Sequence, residues 1–269
     1  MNLKKLLFGF GLTLVLAGQI LLAQPSGADG KQLADIRAKA EKGDAKSQCA
    51  LGEAFYSGKL GVAQDYAEAV KWFRKAAGQN DAKAQYNLGD YYAFGPGATR
   101  DQAEAVKWFR KAAGQNDARA QYNLGLFYES GRGVAQDYVE AVKWYRKAAK
   151  QDNARAQNNL GVDYSMGRGV AQDEAEAVKW YRKAAGQYFA EAQINLAACC
   201  YKGKGVAQDH AEAYKWCLLA AAQGNQDGKN AMTKMEGMMS SEQIAEGKRR
   251  ANDWLEQHKK ASAGNSSQP

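Results

Sequence analysis

Tryptophan stands at positions 72, 108, 144, 180 and 216, each 36 residues after the last. Its surroundings repeat with it. Residues 69–77 read Ala-Val-Lys-Trp-Phe-Arg-Lys-Ala-Ala, return unchanged at 105–113, and return with Tyr for Phe at 141–149 and 177–185. A fixed period of this length marks a stack of supersecondary units, none of which can bury its apolar face alone. The chain is thereby restricted to an elongated architecture, and its function to what an extended curved surface can do.

Each unit is predicted to be two helices joined by turns. In the second unit the first helix covers about 82–94, where Ala84, Leu88 and Tyr92 recur at the spacing of one helical face. A Leu-Gly pair lies inside this helix at 51–52, 88–89, 124–125 and 160–161. Glycine in a helix costs roughly 1 kcal/mol against alanine, so its return predicts a partner helix close enough to collide with a Cβ. Gly-x-Gly at 95/97, 131/133, 167/169 and 203/205 then ends the helix with a left-handed cap. No strand precedes these glycines and no Lys-Ser/Thr follows, which argues against a phosphate loop.

The second helix opens with Asp-x-x-Glu, at 65/68, 101/104, 137/140, 173/176 and 209/212. The Asp is expected to accept a free amide of the first turn while the Glu reaches back, an acidic capping box rather than paired catalytic carboxylates. Ala69, Phe73, Ala76 and Ala77 form the inward stripe. Trp72, one residue round from it, is expected to cover the loop or the next unit; a ligand-stacking role is the alternative.

These residues resemble the Sel-1-like repeat, a relative of the tetratricopeptide repeat. Residues 120–149 follow its pattern, Ala-x-x-x-Leu-Gly-x-x-Tyr-x-x-Gly-x-Gly-Val-x-x-Asp, then Ala-x-x-Trp-Tyr-x-x-Ala-Ala. The resemblance implies an all-α fold: a right-handed α/α superhelical solenoid of about five helix-pair repeats. The expected repeats are 44–80, 81–116, 117–152, 153–188 and 189–224, within a repeat region of 44–224. The resemblance also implies an adaptor that binds proteins or peptides. A cysteine-rich branch of the family is associated with penicillin binding and weak β-lactamase activity, but this chain lacks one cysteine pair per repeat. Repeat five departs from the pattern, with Ala197 for the glycine, Cys200 and Cys217 at two aromatic positions, and Phe189 for the polar residue before the first helix.

The flanks are expected to cap the stack, with an N-terminal helix in 24–43 and C-terminal helices in 225–258 ending near His258. Residues 259–269 read as a disordered tail. Residues 1–23 read as a signal peptide: Lys4 and Lys5, then an uncharged apolar run over 6–22. Gln19 stands where a lipoprotein would carry its cysteine. The expected localisation is periplasmic or secreted, with membrane contact only through the signal segment. Export permits disulfides, and the paired aromatic-to-cysteine change predicts a Cys200–Cys217 bridge. Cys199, Cys200, Cys217 and His210 match no zinc spacing, so no metal and no cofactor are expected.

No His-Glu-x-x-His, no Gly-x-Ser-x-Gly and no serine β-lactamase motif set occurs. The expectation is a non-enzyme. In tetratricopeptide-type solenoids the first helices line the concave face. There Lys83, Arg119 and Arg155 form a cationic row. Tyr86, Tyr122 and Asn158 form a second row, and Asn87, Asn123, Asn159 and Asn195 form an Asn ladder. Such a groove suits an extended protein or peptide ligand, whose carboxylates would meet the cations. The ladder could equally bond the adjacent repeat. The second helices carry another basic row, of which Lys71, Arg74 and Lys75 are the first members. With a net charge of +8, or +6 without Lys4 and Lys5, this ridge suits an anionic surface polymer. Nucleic acid is disfavoured, because the aromatics face the core. Three functions follow in order: an exported adaptor, an envelope enzyme acting on penicillin-like or cell-wall substrates, and a binder of anionic polymer.

Overall fold

The computed structural model describes residues 27–96 and 100–265. The described residues form thirteen α-helices and no strand. Helix α1 (Gly27–Glu41) precedes five helix pairs: α2 (Ala45–Ser57) with α3 (Tyr66–Gly78), α4 (Ala82–Phe94) with α5 (Gln102–Gly114), α6 (Ala118–Ser130) with α7 (Tyr138–Ala149), α8 (Ala154–Met166) with α9 (Glu174–Gly186), and α10 (Ala190–Lys202) with α11 (His210–Ala222). Helices α12 (Gln226–Glu236) and α13 (Ser241–Asn265) close the stack. We call the first helix of each pair A and the second B.

Within a pair the helices meet where the sequence places glycine. A Cβ on Gly125 would overlap the ring of Tyr145, and one on Gly89 would stand 2.5 Å from the ring of Phe109. The A-helix glycine and the B-helix aromatic are therefore one joint: the ring lies flat on bare backbone. Asp137 accepts the Glu140 amide at 2.9 Å, and the same cap recurs on every B helix. Substituting Ala for Asp137 should cost about 1 kcal/mol, checked by urea unfolding. The reciprocal half of the expected box does not form. Glu140 turns outward and takes Lys143 at 2.9 Å, as Glu68 takes Lys71 at 2.8 Å.

Tryptophan joins one pair to the pair before it. Trp108 packs on the cluster of Phe73, Leu88 and Tyr91, and Trp72 packs on Ala40 and Leu51. The expected direction, toward the loop or the next unit, is thus reversed. In the first four repeats the lysine one turn on covers the ring, with Lys75 Nζ 3.8 Å from the Trp72 centroid and Lys147 Nζ 4.0 Å from that of Trp144; in the fifth Lys215 covers Trp216.

A buried glutamine ladder runs alongside. Gln121 donates to the Ala113 carbonyl of the preceding pair and accepts from Gln151 at 2.8 Å. Gln157 and Gln193 repeat the arrangement. Buried amides left unpaired would be destabilising; here the bond to the carbonyl ties neighbouring pairs together, and the Gln–Gln bond ties the two helices of one pair.

The ends are capped as the chain's patterning suggests. Met235 and Ala251 enter the last core cluster, and Arg250 binds Asp209 at 2.7 Å, pinning α13 to α11. Helix α13 runs past His258 to Asn265, so the tail expected from 259 is helical as far as 265. Residues 1–23 and 266–269 lie outside the described residues.

Candidate ligand-binding face

Neighbouring A helices meet along one face: α4 touches α6, Lys83 and Asn87 of α4 bond Glu53 of α2, and Asn195 of α10 bonds Asn158 of α8. The A helices therefore line the inner curve. Of the residues singled out on that face, five converge. Tyr86, Arg119, Tyr122, Asn123 and Arg155 line one cleft of about 380 Å³, joined by Asn153 and Phe189. Phe189 was read only as a lost cap, and it does lack the side-chain cap bond of its counterparts. Its ring adds an apolar wall to the cleft instead.

The two arginines differ. Arg119 is held: it binds Asp117 at 2.7 Å and lies over the Tyr86 ring at 4.1 Å. Arg155 is exposed and forms no ion pair among the described residues. Tyr86 and Tyr122 are both pushed above the ordinary tyrosine pKa, chiefly by burial. They remain neutral donors at physiological pH.

The remaining predicted positions go elsewhere. Lys83 is paired with Glu53 at 2.8 Å. Asn87 donates to Glu53 at 3.2 Å, Asn159 to the Tyr145 hydroxyl at 3.2 Å, and Asn195 to Asn158 at 2.9 Å. These amides bond neighbouring helices, and Asn123 and Asn158 are buried. The face is also graded along its length. Glu53 and Asp90 line a cleft at the first two repeats, Arg119 and Arg155 the middle, and Ile194, Ala198 and Met238 the last.

The basic ridge of the B helices is engaged internally. Lys71 binds Glu68, Arg74 donates to the Tyr92 hydroxyl at 2.6 Å, and Lys75 covers Trp72. Arg110 and Arg146 repeat the Arg–Tyr bond. Each of these cations has a partner within the chain, and Lys71 nonetheless stays 67% exposed.

All four cysteines are free thiols, so the Cys200–Cys217 bridge is not formed. The repeat geometry gives the reason. Cys217 takes the place of the B-helix aromatic, which faces its own A helix at residue 197; its Sγ lies 3.9 Å from Met235 Sδ. Cys200 takes the place of Tyr92, Tyr128 and Tyr164, which reach back to the arginine of the preceding B helix. The two side chains serve different interfaces. Burial pushes Cys217 up to about 11, and burial with the nearby Glu53 pushes Cys49 to about 12. Neither is a thiolate nucleophile at neutral pH.

One polar cluster was missed. Asp163 occupies the core position of Phe127 and Tyr91 and is almost wholly buried. Arg168 approaches it at 3.3 Å and Glu129 at 3.2 Å, and Glu129 also accepts the Tyr145 hydroxyl at 2.6 Å. A carboxyl where the second and third repeats hold Tyr91 and Phe127 was the available signal. Among the described residues, no group of His, Cys, Asp or Glu is arranged to hold a metal, and no helix is long and apolar enough to cross a membrane.

Comparison with known proteins places this geometry. The Sel1 repeat model matches residues 45–81, 82–117, 118–153, 154–188 and 190–225. A Sel1 repeat protein from Oxalobacter formigenes is 33% identical, with 86% of this chain and 96% of that one covered and a TM-score of 0.70. A protective antigen present in uropathogenic Escherichia coli strains, displaying an SLR fold, is 35% identical with a TM-score of 0.65. That alignment covers 87% of this chain and 57% of the antigen, so the chain spans a little over half of the antigen's length. No curated protein matches the chain.

Proposed function

The chain belongs to the Sel1 repeat family, and from that premise we propose that it is an exported, non-catalytic adaptor that holds an extended segment of a partner protein along its A helices. The observation that supports this most is the central cleft. Exposed Arg155 and Tyr-stacked Arg119 stand above two neutral tyrosines and the Phe189 ring. Fixed donors over an aromatic floor suit a peptide that carries carboxylates beside apolar side chains. The grading of the face, acidic then basic then apolar, would also set the direction in which such a segment lies.

Export rests on the basic start and apolar run of residues 1–23 and places the protein in the periplasm or outside the cell. The non-catalytic reading rests on the missing motifs and on thiols held protonated by burial.

Replacing Arg119 and Arg155 together with glutamate should abolish capture of the partner while leaving the helical circular dichroism unchanged. Both arginine side chains are exposed, and losing the partly shielded Arg119–Asp117 pair should cost about 1 kcal/mol. Crosslinking in the native envelope, followed by mass spectrometry, provides the readout. Unchanged capture by the double variant would remove the central cleft from the account.

A further inference from the structure

The geometry points to a second contact on the same face: an apolar pocket in repeat five that takes an aromatic side chain from an acidic segment of the partner. The inference deepens the adaptor reading but uses different residues.

The pocket arises from a paired substitution. In the first four repeats a B-helix ring, Phe73, Phe109, Tyr145 or Tyr181, lies on an A-helix glycine. In the fifth the ring has become Cys217 and the glycine Ala197. The alanine methyl occupies a little of the space the ring would fill, and the thiol occupies little more. Met235 packs on Cys217 at 3.9 Å where the ring would lie, and beside that contact a cleft of about 330 Å³ opens to solvent between α10 and α12, lined by Ala197, Cys217, Ile194, Met235 and Met238.

Two features define the occupant. The walls are almost entirely apolar and include two thioethers, which make favourable contacts with aromatic rings. Met238 is 55% exposed at the mouth, although it belongs to a core-forming cap. At the rim stand Lys202 and Lys234, both exposed and neither ion-paired among the described residues. A ring flanked by carboxylates satisfies both: the ring replaces the one this repeat lacks, and the carboxylates meet the lysines.

The test uses the full chain and a fluorescently labelled seven-residue peptide with Phe between two Glu residues. Fluorescence anisotropy should show binding that weakens at least tenfold when the peptide's Phe becomes Ala, or when its Glu residues become Lys. Ala197→Gly combined with Cys217→Phe restores the joint of the other repeats and fills the pocket; it should weaken binding at least tenfold. Met238→Glu, at an exposed position, should do the same and guards against misfolding of the first variant. Because the peptide's carboxylates could also meet Arg119 and Arg155, each measurement is repeated on the Arg119→Glu, Arg155→Glu background; binding that persists there and is lost with Met238→Glu belongs to this pocket, which separates failure here from failure of the central cleft. No binding at millimolar peptide, or equal binding to the filled variants, would overturn the proposal. Sedimentation showing a dimer that Met238→Glu dissolves would also overturn it, by assigning the pocket to a second copy of the chain.

Discussion

Replacing Gly169 with valine is expected to destabilise the stack by about 4 kcal/mol, near the upper end for a single residue. Two costs combine. Gly169 has φ +68°, a left-handed conformation that costs a residue with a Cβ roughly 1–2 kcal/mol, and a β-branched one more. Its Cβ would also overlap the carbonyl of Tyr138 and stand 2.8 Å from the Val139 amide. Those atoms are backbone at the start of α7, in the preceding repeat, so no rotamer change relieves the clash. Either the loop lifts from α7 or the capped start of α7 moves. Gly167 provides the control. It has a similar φ of +69°, but its Cβ would meet Gln172 at an easy 3.3–3.7 Å, so Gly167→Ala should cost only about 1 kcal/mol. Urea unfolding followed by circular dichroism measures both. Hydrogen exchange should place the damage of Gly169→Val at the junction of the third and fourth repeats. Equal losses for the two variants would mean that the loops do not lock the repeats together.

Raising the pH from about 4 to about 7 should weaken the protein through Asp163. Burial, reinforced by Glu129, lifts this carboxyl from its ordinary value of 3.8 to about 7, against the opposing pull of Arg168. Between those values the folded chain holds a proton that the unfolded chain has released. Stability therefore falls as pH rises through this window, by an amount on the order of 3 kcal/mol in all. The groups facing Asp163 are Glu129, Arg168, Tyr145 and Tyr181. Both tyrosines are held far above their ordinary range by burial, so they stay neutral throughout. Asp163→Leu supplies an apolar side chain where Phe127 and Tyr91 sit in other repeats, and should flatten the dependence. A variant that keeps the wild-type pH slope would assign the titration to another group.

Much of the architecture was readable because the same few positions return in every period. Leu-Gly, Gly-x-Gly and Asp-x-x-Glu each report a local event, namely a close approach, a left-handed cap or a capped start, except that Gly95 ends α4 at φ −58° and not in the left-handed region. Repetition removes the ambiguity of a single instance. What escaped were relations between units. The stripe containing Trp72 identifies a face but not which neighbour covers it, and the ring turned out to face the preceding repeat. The glutamines at 85, 121, 157 and 193 return as regularly as the tryptophans, with Gln48 one residue further off. A polar side chain read alone suggests solvent, and only the packed stack reveals its buried carbonyl partner. Cys200 and Cys217 looked like opposed aromatic positions until the Gly–ring joint showed that Cys217 belongs with Ala197. On the inner face, helical spacing grouped Tyr86, Arg119, Tyr122, Asn123 and Arg155 correctly. It could not show that Lys83 and Asn87 are engaged by Glu53, because that bond crosses from one repeat to another.

Site-specific photo-crosslinking in the native envelope tests the central claim most directly. A benzophenone side chain would be placed at Tyr122, on the floor of the central cleft, and in a second variant at Lys143, on the opposite face. The account predicts a discrete crosslinked partner from position 122, none from 143, and loss of the product when Arg119 and Arg155 carry glutamate. A partner captured equally from both faces, or only from 143, would contradict it.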